Sequence, residues 1–376
     1  MVDRLCWAEI DLSAIARNVT GLKAQLSPGT SMCAVVKADG YGHGAVPVAR
    51  ACLSAGASSL AIAFVEEGVE LRRAGITEPI LVLGYTGDEG VRRAIGHDLS
   101  MTVVSTDNAR LMSREAERLG RTANLHLKID TGMGRLGVAP REAAEVASKI
   151  ASMPGVQLEG VSSHFADADA VDGAFVALQL KRFLDAVAAI ERAGVRVPVR
   201  HIANSAGHLF HPETRLDMTR PGIALYGLRA SNARVPPFEP SPAMSLRSCV
   251  TQVRIVPVGE TIGYGRTFRT ARDSRIAVLP AGYADGVSRA LSNRGSVGFP
   301  SGRAAIVGTV CMDQFMVDVS DLPEVGPGSV ATIFGSGGPP ISEVADLLGT
   351  IDYEIVCAIS KRVPRMYVGG EAGRAP

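Results

Sequence analysis

Charged and hydroxyl side chains stand at the ends of several short apolar runs in the first two-thirds of the chain. Lys37 ends the run CAVVK, and lysine is rarely buried unless it is paired or functional. A lysine with a lowered pKa can form a Schiff base with a carbonyl compound, whereas one at an open strand end is only a surface charge. The other polar groups at or near run ends are Lys128, Arg135, His164, Asn204, Ser205 and Arg220. So many groups at run ends favour a functional site over isolated surface charges.

These polar groups belong to eight strand-like runs that alternate with stretches of helical periodicity. The runs are 31–37, 59–64, 79–84, 100–105, 124–130, 158–165, 199–205 and 218–227. In one helical stretch, Phe175, Leu178, Phe183, Val187 and Ile190 recur near every third or fourth position, which is typical of an amphipathic helix. The pattern predicts an α/β fold with a (β/α)8 TIM barrel over residues 11–234, which binds ligands at the carboxyl ends of its strands. An open, doubly wound sheet is the alternative.

The composition of the sequence changes at VPPFEPSP (235–242), where four prolines fall within eight residues. Proline continues neither a helix nor a central strand, so this segment is interpreted as a linker. Short strand-like runs with glycine and proline turns follow it. We therefore expect a mainly β C-terminal domain over residues 235–376, to which the N-terminal strand within residues 1–10 also belongs.

Composition narrows the classes of function. Lys plus Arg is 39 and Asp plus Glu is 38, which argues against binding of nucleic acid by bulk charge. The six cysteines form no CxxC pair and are interpreted as reduced thiols of an intracellular protein. No run of ~18 apolar residues and no secretory signal is visible, so we expect a cytoplasmic protein without a membrane partner. No metal site is predicted.

The segment AVVKADGYGHG (34–44) resembles the signature around the pyridoxal-phosphate lysine of alanine racemases. Further blocks that resemble this family, in the family's order, are HLKIDTGMGRLG (126–137), SSHFA (162–166), ANSAG (203–207), TRPGIALYG (219–227), GYGRTF (263–268), GYADG (282–286), ALSNRG (290–295) and CMDQ (311–314). The series spans nearly the whole chain, and the family's fold is a barrel followed by a β domain. One departure is Thr309, where the family more often has arginine.

The resemblance implies pyridoxal 5′-phosphate as the cofactor, with Lys37 as the residue that holds it. The groups implied at the phosphate are Tyr41, Tyr353, Ser205 and the backbone N–H groups of Gly222 and Ile223. Arg220 is implied at the pyridine nitrogen, where an arginine, which cannot accept a proton, weakens the cofactor as an electron sink. Taken alone, Arg220 could equally pair with Asp217, and Ser205 and Tyr353 could be satisfied polar core residues.

Racemisation needs a proton carrier on each face of a planar intermediate. The resemblance implies Lys37 for one face and Tyr264 for the other, with His164 linking Tyr264 to Arg220. Taken alone, His164 is more often a hydrogen-bonded core histidine. In the family the tyrosine comes from the partner subunit, which implies a homodimer with shared active sites.

The substrate side of the site is implied in the same way. Arg135 would fix the substrate carboxylate together with the backbone of Met312, while Tyr283 and Asp313 would lie near the entrance. Lys128 corresponds to a lysine that is often carbamylated in relatives, and an ordinary salt-bridged lysine is the equal alternative. The expected reaction is interconversion of L- and D-alanine, supplying D-alanine for peptidoglycan. The alternatives are racemisation of serine or of several small amino acids, decarboxylation, and a non-catalytic carrier of the cofactor.

Overall fold

The computed structural model describes residues 4–369. The chain begins with strand β1 (Cys6–Asp11) and then forms a nearly closed barrel of eight parallel strands. The barrel strands are β2 (Ser31–Val35), β3 (Ser59–Ile62), β4 (Ile80–Val82), β5 (Ser100–Val103), β6 (Ala123–Lys128), β7 (Val156–Ser162), β8 (Val199–His201) and β9 (Met218–Thr219). The strand order is β8-β7-β6-β5-β4-β3-β2-β9, and the backbone of Arg220 donates to the Ala203 carbonyl at 2.9 Å across the β8–β9 seam. The predicted barrel is confirmed.

Helices cover the outside of the barrel, so its strands are buried on both faces and read as continuous apolar runs. The helical segments are α1 (Leu12–Lys23), α2 (Lys37–Tyr41), α3 (Ala45–Ser54), α4 (Val65–Arg73), α5 (Asp88–Gly96), α6 (Thr106–Leu119), α7 (Ala143–Ala151), α8 (Ala174–Arg192) and α9 (Ser205–Phe210). Local chemistry fixes their ends. In α6, for example, the Ser105 side chain accepts from the Asn108 N–H, and Gly120 ends the helix with left-handed backbone angles.

The rest of the chain is mainly β. Its strands are β10 (Met244–Cys249), β11 (Gln252–Val256), β12 (Thr261–Ile262), β13 (Phe268–Arg269), β14 (Ser274–Leu279), β15 (Ser296–Phe299), β16 (Gly302–Val307), β17 (Phe315–Asp318), β18 (Val330–Phe334) and β19 (Arg365–Val368). Two short helices, α10 (Ile341–Leu348) and α11 (Asp352–Cys357), lie between β18 and β19. Strand β1 pairs antiparallel with β10 and parallel with β19, so the N-terminal strand lies in this sheet and not in the barrel.

Two details differ from the expectations. The eighth run was predicted to be strand-like over residues 218–227, but the regular strand ends at Thr219, shortly before Pro221, which has no N–H to donate. In α8 the buried face begins at Val176 and Gln179, whereas Phe175 and Leu178 are exposed. Helix α8 is therefore amphipathic, although its first turn presents different residues to the core from those expected.

Candidate active site

The carboxyl ends of the barrel strands surround a cavity of about 400 Å³. Ten of the residues proposed from the sequence line it: Lys37, Tyr41, Lys128, Arg135, His164, Ser205, Arg220, Gly222, Ile223 and Tyr353. All except Tyr353 come from the barrel; Tyr353 reaches the cavity from α11. This volume lies in the range of ordinary small-molecule sites.

Lys37 sits directly after β2, where the chain makes an unusual turn. Residues 38–41 all have φ between 52° and 59°, a left-handed turn that costs about 1–2 kcal/mol for each residue with a Cβ. Side-chain carboxylates hold the turn: Glu67 Oε1 accepts from the Ala38 N–H at 2.6 Å, and Asp39 Oδ1 accepts from the Ala45 N–H at 2.8 Å. Burial, assisted by the positive charge of Arg135, lowers the pKa of Lys37. The lowered pKa increases the fraction of Lys37 that is present as the neutral, nucleophilic amine.

A cup of neutral donors lies on the β8–β9 side of the cavity. Ser205 Oγ accepts from the N–H of Gly222 at 2.8 Å and from that of Ala224 at 3.3 Å. Gly222 lies so close to Tyr41 that a Cβ at this position would overlap the tyrosine hydroxyl. Tyr41 packs against Tyr353, with ring centroids 5.9 Å apart. Hydroxyl and backbone N–H groups converge here, as in barrel phosphate sites.

Arg220 lies fully inside the barrel, and burial lowers its pKa to about 10. Its NH1 donates to His201 Nδ1 at 2.6 Å, and its NH2 donates to the Ser163 carbonyl at 2.8 Å. The expected hydrogen bond to His164 is absent among the contacts of residues 4–369, so this part of the prediction is corrected. Asp217 pairs with Arg200 instead, which removes that alternative partner.

Behind Arg220 lies a pair of buried histidines that sequence reasoning did not identify. His201 Nε2 and His126 Nδ1 are 2.8 Å apart, although the two residues stand on β8 and β6 with β7 between them. Gly160 makes this contact possible, because a Cβ on this β7 residue would lie only 2.6 Å from His126 Nδ1. No local spacing in the sequence signals this contact, since it depends on the register of three strands.

The donor directions within this network follow from Arg220. Because Arg220 can only donate, His201 Nδ1 must accept, so His201 carries its proton on Nε2 and donates to His126 Nδ1. The proton of His126 is then on Nε2, which lies 3.6 Å from Glu159 Oε2. Burial, followed by the charge of Arg220, lowers the pKa of His201 well below its ordinary value. His201 is therefore neutral, and the guanidinium of Arg220 keeps its charge.

Lys128 and His164 are buried among positive charges, which disfavour the charged form of each. Burial and the charges of Arg220 and Arg135 hold the pKa of Lys128 well below its ordinary value. Burial and the neighbouring charge of Lys128 do the same to His164. Lys128 makes no salt bridge within residues 4–369, and the charge of Asp130 offsets only part of the lowering of its pKa.

The cavity therefore contains more positive than negative charge. Lys37, Lys128, Arg135 and Arg220 line it, and among its lining residues in the described chain Asp130 is the only carboxylate. One oxygen of Asp130 accepts three N–H groups of its own loop, at residues 132–134, and is not turned to the cations. Buried like charges are costly unless an opposite charge joins them. The site is therefore built for an anionic ligand.

Four of the proposed residues do not line this cavity within the same chain. Tyr264, Tyr283, Met312 and Asp313 line a separate, open groove on the mainly β part. Tyr264 is 74% exposed and Met312 is 52% exposed. Arg362 bridges Asp313 and the buried carboxylate of Asp285, which ties the loop of Met312 and Asp313 to the turn that carries Tyr283. One chain therefore presents two separated halves of the predicted site.

Within residues 4–369 no helix is both long and apolar enough to cross a bilayer. The same residues hold no group of three or more His, Cys, Asp or Glu side chains that could bind a metal ion. The fold and the cavity thus define a barrel protein with a buried amine and a pocket for an anion.

Family models agree with this description. The model of the alanine racemase N-terminal domain matches residues 10–230, and that of the C-terminal domain matches residues 243–367. An alanine racemase of Desulfovibrio desulfuricans is 46% identical over 366 residues, which cover 97% of this chain and 99% of that relative. The chain belongs to the alanine racemase family of enzymes.

Solved structures give the same result. The alanine racemase from the D-cycloserine producer Streptomyces lavendulae is 41% identical, covers 98% of each chain and has a TM-score of 0.93. The alanine racemase of Bacillus anthracis with bound L-Ala-P is 38% identical, with a TM-score of 0.92, and the match covers 100% of this chain and 97% of that one. The family and fold predicted from the sequence are confirmed.

Proposed function

We propose that the protein interconverts L- and D-alanine with pyridoxal 5′-phosphate and supplies D-alanine for peptidoglycan. The observation that carries this proposal is the cavity, which two arginines and two lysines line together with a single carboxylate, Asp130, that accepts hydrogen bonds from its own loop. A phosphate and an amino-acid carboxylate are the anions that such a pocket would take. The named relatives support alanine as the amino acid.

The residues present fit this cofactor. Lys37 offers an amine with a lowered pKa, and Ser205 with Tyr41 and the backbone at Gly222 forms a neutral donor cup for a phosphate. Arg220 offers a buried donor and no acidic group to a pyridine nitrogen. When bound, pyridoxal phosphate increases the acidity of the α-proton of the amino acid that it carries.

We assign the two proton transfers to Lys37 and Tyr264. Lys37 takes or returns the α-proton from inside the barrel, and the partner's phenol acts on the opposite face. Tyr264 lines a groove away from Lys37 in its own chain, which supports a homodimer with shared sites. Met312, Tyr283 and Asp313 line the same groove and would close the entrance from the partner.

Arg135 is assigned to the carboxylate of the substrate. Its positive charge acts on both Lys37 and Lys128, as expected for a group in the centre of the pocket. We further propose that Lys128 is carbamylated: its neutral amine adds to carbon dioxide and releases one proton, which leaves a carbamate anion. The new negative charge would orient Arg135 and offset the surrounding positive charge.

The experiment that tests the shared site mixes two inactive variants. Lys37→Ala lacks one proton carrier and Tyr264→Ala lacks the other, so a hybrid dimer contains one intact site and one doubly defective site. Chiral assay of alanine should show no activity for either variant and recovery of up to about a quarter of wild-type activity for the mixture. If subunit exchange is confirmed by mass and no activity returns, each site lies within one chain and the proposal fails.

A further inference from the structure

Tyr264 stands at the tip of a small hairpin that β12 and β13 form. Only two residue pairs join these strands, Thr261 with Arg269 and Ile262 with Phe268. At its base, Ile262 and Phe268 pack with Ile276 and Val307 in a small apolar cluster, separate from the main core. The side chain of Tyr264 is exposed, and its phenol makes no hydrogen bond within residues 4–369. Contacts made by the tip must therefore fix the direction of this side chain.

The tip is flexible by composition. Gly263 and Gly265 flank Tyr264, both with φ of 72°, a conformation that costs glycine no steric strain. Glycine also leaves more backbone freedom than any other residue. A phenol that must reach a reacting carbon of another subunit cannot depend on such a backbone alone, because small misplacements cost large factors in rate.

A run of polar side chains holds the tip in place. Thr309 Oγ1 donates to the backbone carbonyl of Tyr264 at 2.8 Å. Since this bond uses the only hydroxyl proton of Thr309, the Thr267 hydroxyl at 3.4 Å must donate to Thr309. Asn293 Nδ2 in turn donates to Thr267 Oγ1 at 3.1 Å, and Asn293 Oδ1 accepts from the Gly308 N–H at 2.7 Å. The run therefore ends on the backbone carbonyl of Tyr264. At its other end, Asn293 is held by the backbone N–H of Gly308.

The surroundings of Thr309 shield this bond from water and bring the hairpin close to Thr309. Thr309 is only 6% exposed, so water competes poorly for its hydroxyl. The hairpin also approaches this segment closely, because a Cβ on Gly263 would lie 3.2 Å from the Thr309 N atom. The longer arginine side chain that the family more often has at this position offers only donors and would not fit the same hydroxyl-to-hydroxyl run.

We infer that Thr309 is a positioning residue for catalysis, which sets the placement of the Tyr264 phenol through the Asn293–Thr267–Thr309 run. This inference rests on the proposed function, in which Tyr264 carries the proton on one face of the substrate. Thr309 acts through the backbone of its own hairpin and needs no contact with substrate or cofactor. Its loss should therefore affect only the proton transfer that Tyr264 carries out.

The test uses the full-length enzyme loaded with pyridoxal phosphate. Loss of the α-proton from L-alanine and from D-alanine in deuterated water is followed by proton NMR, because each enantiomer reports the carrier on its own face. Thr309→Val removes the hydroxyl and keeps the shape, whereas Thr309→Ser keeps the hydroxyl. Thr251→Val is the control, since it removes the same kind of bond, 3.1 Å long, from Thr251 Oγ1 to the Val278 carbonyl in the same sheet. Tyr264→Phe defines the effect of losing the phenol itself.

Thr309→Val should slow exchange from L-alanine about tenfold and exchange from D-alanine less than about twofold, as the loss of one buried hydrogen bond predicts. Thr309→Ser should recover most of the lost rate, and Thr251→Val should show neither effect. The cofactor's visible absorption band and the sedimentation coefficient of the dimer should be unchanged in Thr309→Val.

The outcomes separate the two proposals. If Tyr264→Phe slows exchange from both enantiomers equally, the two-carrier function fails. If Tyr264→Phe shows the asymmetry and Thr309→Val does not, or if Thr309→Ser is as slow as Thr309→Val, the inference about Thr309 is overturned. It is also overturned if the slowing follows dissociation of the dimer.

Discussion

Gly222 offers the sharpest test of the donor cup. A methyl group at this position would overlap the hydroxyl of Tyr41 and lie 3.1 Å from its Cζ atom, closer than ordinary van der Waals contact. Tyr41 cannot easily retreat, because it is buried and packs on Tyr226 with ring centroids 4.8 Å apart. Gly222→Ala should therefore push the hydroxyl out of the cup or strain the backbone that carries its N–H.

The size of the effect follows from the contact. Overpacking by one methyl group in a well-packed interior costs about 1–3 kcal/mol. Tyr41→Phe removes the overlapping atom, so in that background the cost of Gly222→Ala should fall by about 1 kcal/mol or more. The two substitutions should therefore be coupled and not additive. Affinity for pyridoxal phosphate should fall about tenfold or more in Gly222→Ala, since a bond to a charged group is worth about 1.5–3 kcal/mol.

Urea unfolding of the four proteins of this cycle, at one protein concentration and without cofactor, gives the free energies of unfolding. Titration of the cofactor's visible band gives the affinities. Gly96→Ala is the matched control, because nothing lies within 4 Å of a Cβ at that position and alanine is the better helix former there. Strict additivity of Gly222→Ala and Tyr41→Phe, or an unchanged cofactor affinity in Gly222→Ala, would refute the role of the close contact.

Two further predictions concern buried histidines. Gly160→Ala should separate His126 from His201 and lower the free energy of unfolding by about 1–3 kcal/mol, measured by urea unfolding; a change below about 0.5 kcal/mol would show that the contact needs no glycine. Burial, assisted by Arg215, lowers the pKa of His208 to about 4 from its ordinary 6.5. As the pH falls, the unfolded chain therefore takes up this proton first. The contribution of His208 to the free energy of unfolding is complete above pH 6.5 and falls by about 3 kcal/mol as the pH drops to 4. His208→Gln should flatten that slope, and an equally steep slope in the variant would contradict the assignment.

The barrel could be predicted because its signals are local. Each strand is a short apolar run, and each of the eight predicted runs overlaps a barrel strand. Local sequence patterns did not predict strands whose pairing depends on segments that are far away along the chain. Strand β19 contains charged Arg365 and is a strand because it lies beside β1, more than 350 residues earlier. Strands β10 and β11 follow each other along the chain but lie far apart in the same sheet, which no local pattern indicates.

In the candidate site, too, some features follow from local sequence and others depend on how distant strands align. The positions of Lys37, Ser205 and Arg220 at strand ends follow from the barrel topology, and the family resemblance supplied their roles. The partner of Arg220 could not be predicted, because it depends on how β6, β7 and β8 are aligned. In the sequence Gly160 is one glycine among many, and only the strand register shows that it lets two histidines meet.

The cavity also supports the proposal that the second proton carrier comes from the partner subunit. Tyr41 and Tyr353 are the phenols that line it in the described chain, and burial raises the pKa of both, which makes them poor proton carriers. Tyr264, by contrast, stands 74% exposed beside other exposed apolar side chains of the open groove, such as Met312 and Ile255. Exposed apolar side chains along one groove are typical of an interface. In the proposed homodimer, a second copy of the chain would cover this groove and bring the phenol of Tyr264 to the cavity.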